Sequence, residues 1–141
     1  MKILAAVDGS QHSTAMVEKL IARIGWFREL PEITLLHVHH PLPYKRAAAW
    51  AGKEAVHQYY EEESDAALLP GRAVLESAGV ACTLDKQVGD PAIEIARVAE
   101  AGDFDLVAMG THGHSGLTNL VMGSVATKVL ASLKRPVLFL R

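Results

Sequence analysis

The residues best suited to chemistry lie between Gly110 and Ser124, in the stretch GTHGHSGLTNLVMGS. Four of its fifteen positions are glycine, and a helical pattern follows at once. Glycine is a poor helix former and gives no side chain to a core. Glycines crowded ahead of a helix therefore serve either positive φ angles or the close approach of a ligand, and the usual ligand is a phosphate. The skeleton is Gly110-x-x-Gly113, nine residues, then Gly123-Ser124. Free amides at a helix N-terminus point outward, and the helix dipole adds about half a positive charge there. Ser124 adds a hydroxyl donor. The arrangement suits a chain of phosphates lying over a sheet edge. Turn geometry remains the competing reading, although it explains isolated glycines better than two spaced pairs. Gly116 lies outside the pairs and reads as a turn residue.

Other chemistries fit less well. A dinucleotide fingerprint needs Gly-x-Gly-x-x-Gly in the first strand-to-helix turn, where this chain has DGSQHS with one glycine. A P-loop needs Gly-x-x-x-x-Gly-Lys-Ser/Thr, a string the chain lacks. Gly113 to Leu117, GHSGL, approaches a nucleophile elbow but ends in leucine. A phosphoacceptor site would pair Asp8 with a second acid, and its neighbours are not acidic. His37 and His39 are two apart on a strand and share a face. With His112 and His114 they make four histidines near strand ends, but without the Cys or carboxylate partners of a usual zinc shell. The reading assigns no metal site. It also names no catalytic residue: the loop offers His112, His114 and Ser115, and nothing in the sequence aims one at a γ-phosphate.

Composition sets the wider limits. The chain has 141 residues, half of them apolar and about a fifth charged, which suits one domain spanning 1–141. Its formal net charge of −2 and interspersed signs argue against a nucleic-acid binder. They leave room for a small anion held by a local field of amides. The single cysteine, Cys82, cannot form an internal disulfide and reads as a small apolar strand residue in a reducing compartment. No run approaches the ~18 apolar residues of a membrane span. Asp8 ends the first apolar run too early for a signal peptide. The expectation is a cytoplasmic protein with no membrane partner.

These residues need elements to position them. KILAAVD, Lys2 to Asp8, reads as a buried strand leading into a turn. Met16, Val17, Leu20, Ile21, Ile24 and Phe27 then recur at helical spacing, with Ser10 as N-cap. EITLLHVHH is a second strand. Residues 44–79 are rich in helix formers, but Pro70-Gly71 predicts a break or kink, and Gly79 a C-terminal stop. VACTLDKQV is a third strand. A helix capped by Asp90, opened by Pro91 and ended by Gly102 follows. FDLVAMG is a fourth strand. A helix with Val125, Val129, Leu130 and Leu133 on one face comes after the glycine-rich loop, and PVLFLR is the fifth strand. Apolar strands alternating with helices imply a doubly wound α/β domain: an open five-stranded parallel sheet with helices on both faces. Ligands on such sheets bind at the carboxyl ends of the strands.

At the loop the chain resembles the universal stress protein family, in its nucleotide-binding branch. That branch is marked by Gly-x-x-Gly, nine residues, then Gly-Ser/Thr. The likeness runs through ILAAVDGSQHS, LLHVHH, GDPAIEIARVAE, DLVAMGTHGHSGLTNLVMGSVATKVL and RPVLFLR in order. The resemblance implies strand order 3-2-1-4-5. It also implies ATP, or AMP or ADP, in a cleft over the first and fourth strands. Ala6, Val7 and Asp8 would lie beside the nucleotide, with Asp8 near the ribose or a Mg2+ held through the phosphates. Asp8 as a mere helix cap is the alternative. Val38 would meet adenine through its backbone. Met109, Gly110, His112 and Gly113 would line ribose and phosphates. Gly123, Ser124 and Val125 would hold the phosphates by their amides and the Ser124 hydroxyl. Some members carry a further hydroxyl after Gly-Ser-Val, where this chain has Ala126 and then Thr127.

Three functional readings follow. The first is an ATP-binding, stress-response regulatory protein with at most slow hydrolysis. The second is a slow ATPase or self-phosphorylating enzyme. The third is a dimerisation or adaptor module that needs no nucleotide. The closing strand is apolar and unguarded by charge, which predicts a homodimer through that edge, as the resemblance also implies.

Overall fold

A computed structural model of the chain describes residues 1–43, 52–113 and 122–141. Five strands form one sheet: β1 (Lys2–Ala6), β2 (Glu32–His39), β3 (Cys82–Val88), β4 (Leu106–Gly110) and β5 (Val137–Leu140). Their order is β3-β2-β1-β4-β5, and every pairing is parallel. The expected doubly wound sheet and its strand order are therefore both present.

Among the described residues four α-helices cover the sheet: α1 (Gln11–Ile21), α2 (Lys53–Ser77), α3 (Pro91–Ala101) and α4 (Ser124–Ser132). Strand side chains alternate between faces. Ile3, Ala5 and Val7 accordingly pack with Met16, Val17 and Leu20 of α1 and Leu68 and Leu75 of α2. Leu4 points the other way, to Ile95 and Val98 of α3 and Val129 of α4. Being buried on both faces is why β1 reads as an unbroken apolar run.

Local signals behave largely as the residue types dictate. Ser10 Oγ accepts the Ser13 amide at 3.2 Å and caps α1. Asp90 Oδ1 accepts the amides of Ala92 at 3.0 Å and Ile93 at 3.3 Å, with Pro91 opening α3. Gly79 has φ +71° just beyond α2, and Gly102 closes α3.

Three expectations need correction. Helical periodicity continues to Phe27, but α1 stops at Ile21 and a 3-10 turn follows at Ile24–Trp26. Ile24 and Phe27 still reach the core from that tighter geometry. Leu130 is 55% exposed, so the buried stripe of α4 is Ala126 and Val129, flanked by half-buried Val125 and Leu133. The third concerns Pro70: of the expected break or kink, the break does not occur, and α2 runs continuously through it. A proline inside a helix costs about 3 kcal/mol. Leu68 and Leu75, on either side of it, are 1% and 0% exposed and contribute about 1.5–3 kcal/mol each. Gly71, the second expected breaker, faces the side chains of Leu35 and Val17, where a Cβ would lie 3.4 and 3.5 Å away. Packing on the sheet outweighs the local preference. No helix among the described residues is long and apolar enough to cross a membrane.

Candidate functional site

The chain runs from β1 outward to β2 and β3, then returns to β4 on the other side of β1. The switch point therefore lies between β1 and β4, paired at Ala6 and Met109. A cavity of about 500 Å³ opens at these carboxyl ends. Ala6, Val7 and Asp8 enter it from β1, and Val38 from β2. Met109, Gly110, His112 and Gly113 enter from the end of β4, and Gly123, Ser124 and Val125 from the start of α4. Residues far apart in sequence thus converge on one space. His114, Ser115 and Gly116 fall outside the described residues.

Asp8 is held from below. Its Oδ1 accepts the Ser10 amide at 3.0 Å and the Ser10 hydroxyl at 2.6 Å. Ser10, not Asp8, caps α1, so Asp8 buttresses the cap while its second oxygen faces the loop. A Cβ at Gly113 would lie 2.6 Å from Asp8 Oδ2, which no real contact tolerates. Gly113 is therefore glycine because a carboxylate already occupies that space. Gly9, at φ +78°, performs a related task. A Cβ there would come within 2.9 Å of the Ala67 backbone, so glycine lets α2 lean over the β1 turn and bring Glu63 and Ala67 into the cavity wall.

The start of α4 is set by one short bond. The Gly123 amide donates to the Thr111 carbonyl at 2.6 Å, folding the chain back over the end of β4. This modifies the donor set implied by the resemblance, because the Gly123 amide already has a protein acceptor. The first intrahelical bond runs from the Thr127 amide to the Gly123 carbonyl at 3.0 Å. The amides of Ser124, Val125 and Ala126 precede it and form the outward-pointing first turn. Ala126 is 3% exposed and packs into the core, and the Thr127 hydroxyl turns back to the Gly123 carbonyl at 3.0 Å. Neither residue replaces the further hydroxyl found in some family members.

Several cavity residues were not among the nucleotide contacts expected from the sequence. His37 is buried, with Nδ1 3.0 Å from the Val7 carbonyl. A carbonyl only accepts, so Nδ1 is the donor in this contact. His39 likewise donates from Nδ1 to the His40 carbonyl at 2.6 Å. Its ring meets Tyr60 and Tyr59 edge-on, with centroids 5.1 and 5.6 Å away. The Tyr60 hydroxyl accepts the Leu42 amide at 2.7 Å, tying the chain after β2 to α2. The two-residue spacing of His37 and His39 was a usable signal. Glu63, Ala67, Pro91 and Ile95 gave none, because only tertiary packing brings α2 and α3 to the cavity.

The electrostatics near the mouth are specific. The Ile93 amide holds the Asp90 carboxyl below the usual carboxylate range; partial burial opposes it, while the Ala92 amide, Lys128 and His40 add to it. Lys128 Nζ stands 3.7 Å from Asp90 Oδ2 and links α4 to α3. Away from the cavity, burial pushes the Cys82 thiol up, as expected for an inert strand residue. Among the described residues no group of three His, Cys, Asp or Glu side chains is arranged to hold a metal ion.

Comparison with known families matches residues 1–141 to the universal stress protein family. The chain belongs to that family. Universal stress protein MJ0531 of Methanocaldococcus jannaschii is 31% identical over 140 residues, covering 99% of this chain and 81% of that protein. The solved structure of hypothetical protein MJ0577, from the same archaeon, gives a TM-score of 0.81 at 27% identity, covering 99% of this chain and 94% of that one. A universal stress protein family protein from Arabidopsis thaliana, solved with AMP bound, gives 0.70 at 18% identity and covers 99% and 90%, a likeness of fold.

Proposed function

We propose that this universal stress protein binds an adenine nucleotide in the β1–β4 cavity and acts as a regulatory protein with at most slow hydrolysis. One observation carries the reading. Both glycine pairs, the first turn of α4 and Asp8 face the same 500 Å³ space, which is large enough for a nucleotide. The Ser124 and Val125 amides and the Ser124 hydroxyl are the phosphate donors, in the positive field of the α4 N-terminus. Gly110 and Gly113 leave room for the His112 backbone and the Asp8 carboxylate beside the ribose and phosphates. Val38 and Met109 flank the base and sugar, with Ala6 and Val7 beneath. The AMP-bound plant relative with this fold supports the ligand class. On this reading Asp8 meets a ribose hydroxyl or a Mg2+ carried by the phosphates. Calorimetry with ATP and AMP tests the reading. Binding at micromolar to millimolar nucleotide is expected; no heat change from protein shown to be folded overturns it.

The protein also forms a homodimer through β5 on this reading. Among the described residues β5 closes one side of the sheet and pairs only with β4. Its outer backbone groups need a partner, and a second copy of the same edge supplies one.

A further inference from the structure

We propose that the protein carries a second anion site, on the α1 side of the sheet, that takes a phosphoryl group. A cavity of about 340 Å³ lies between α1, the end of β4 and the end of β5. His12, Ala15 and Lys19 line it from α1. Their spacing of three and then four residues puts them on one stripe of the helix. Leu140, 8% exposed, faces the space from β5, and Arg141 follows it. His112 closes the cavity from the loop, its Nδ1 2.9 Å from the Thr111 hydroxyl and its ring centroid 6.3 Å from that of His12.

Two cations and two imidazoles therefore line this space, and no acidic side chain does. The chain carries 16 acids against 14 lysines and arginines, so the excess of basic side chains here is a local property. Among the described residues, Lys19 forms no ion pair, in contrast to Lys86, Arg97, Lys128 and Arg135. A cleft lined by one sign of charge concentrates the opposite sign. An arginine fork and a lysine ammonium are the groups that hold phosphoryl oxygens, and imidazole N–H groups add directional donors.

Gly110, Thr111 and His112 line both cavities, so one short wall separates them. The phosphoryl group then has two sources: a free anion such as pyrophosphate, or the distal phosphates of a nucleotide seated in the first cavity. The inference does not require the nucleotide reading, because its cations face their own space.

The test is calorimetry of the full chain with pyrophosphate, AMP and ATP, on wild type, Lys19→Ala and Arg141→Ala. Both positions are at least partly solvent-facing, and equal melting temperatures confirm folding. A free-anion site predicts that pyrophosphate binds in the presence of saturating AMP and that each variant weakens it about tenfold or more. It also predicts that pyrophosphate shifts the imidazole NMR signals of His12 and His112. A nucleotide-tail site predicts that the variants weaken ATP by a similar factor while leaving AMP unchanged. If AMP does not bind but Lys19-dependent pyrophosphate binding persists, the nucleotide proposal falls and this one stands. Equal affinities of wild type and both variants for pyrophosphate and ATP overturn it.

Discussion

At the scale of single residues, Gly113 couples the loop to β1, because a Cβ there would lie 2.6 Å from Asp8 Oδ2. In Gly113→Val the side chain and the carboxylate compete for one volume, and the carboxylate or the loop must move. The expected outcome is a loss of adenine-nucleotide affinity of about tenfold or more, read by calorimetry, as misplacing one charged group typically costs. Unchanged affinity would show that the Asp8–Gly113 contact has no bearing on the ligand. Asp90 supports a pH prediction. The Ile93 amide depresses its folded-state pKa, so its ionised form is favoured by folding. That stability is present above the unfolded pKa of about 3.9 and is lost as pH falls through the lower folded value. Asp90→Asn keeps an acceptor for the helix amides but has no charge to titrate. Wild type should therefore be the more stable at pH 7, and the difference should shrink as the pH falls through the carboxylate range. Urea melts of the pair at several pH values measure it; a constant difference across that range contradicts the assignment.

At the scale of elements, α2 shows where sequence patterns stop being informative. Pro70 signals a break by a rule about one residue and its preceding turn, whereas the helix persists because its flanking leucines are buried against β1 and β2. Pro70→Ala tests that account. Restoring an amide and removing the ring should raise unfolding stability by up to ~3 kcal/mol. A lower denaturation midpoint would show instead that the ring itself is needed for packing. By contrast, Ser10, Asp90, Pro91 and Gly79 act within a turn of their own position, and their caps were legible from residue type alone. Glu63 and Ala67 were not, since α2 reaches the cavity only where Gly9 admits it, across more than fifty residues of chain. The loop skeleton was legible as a phosphate-binding pattern, yet the bond that spends the Gly123 amide on Thr111 depends on how the loop closes.

At the scale of the whole molecule, alternating strands and helices were enough for a doubly wound sheet, while the strand order came from family resemblance, because several orders satisfy the same pattern. The order matters beyond the cavity, since it leaves β5 at an edge. Substituting its leucines is a poor test of dimerisation: Leu140 is in the core and Leu138 packs against it, so either change also weakens the fold. The backbone offers a cleaner one. The Val107 amide donates to the Pro136 carbonyl at 3.0 Å, so Pro136 points its carbonyl at β4. Backbone groups alternate sides along a strand, which turns the Val137 amide and carbonyl away from β4 toward the open edge. Val137→Pro removes that outward donor without touching the β4 ladder, as edge strands tolerate. Sedimentation should then show monomers for the variant and dimers for wild type, at closely similar melting temperatures. A variant that sediments as an unchanged dimer places the contact elsewhere than β5.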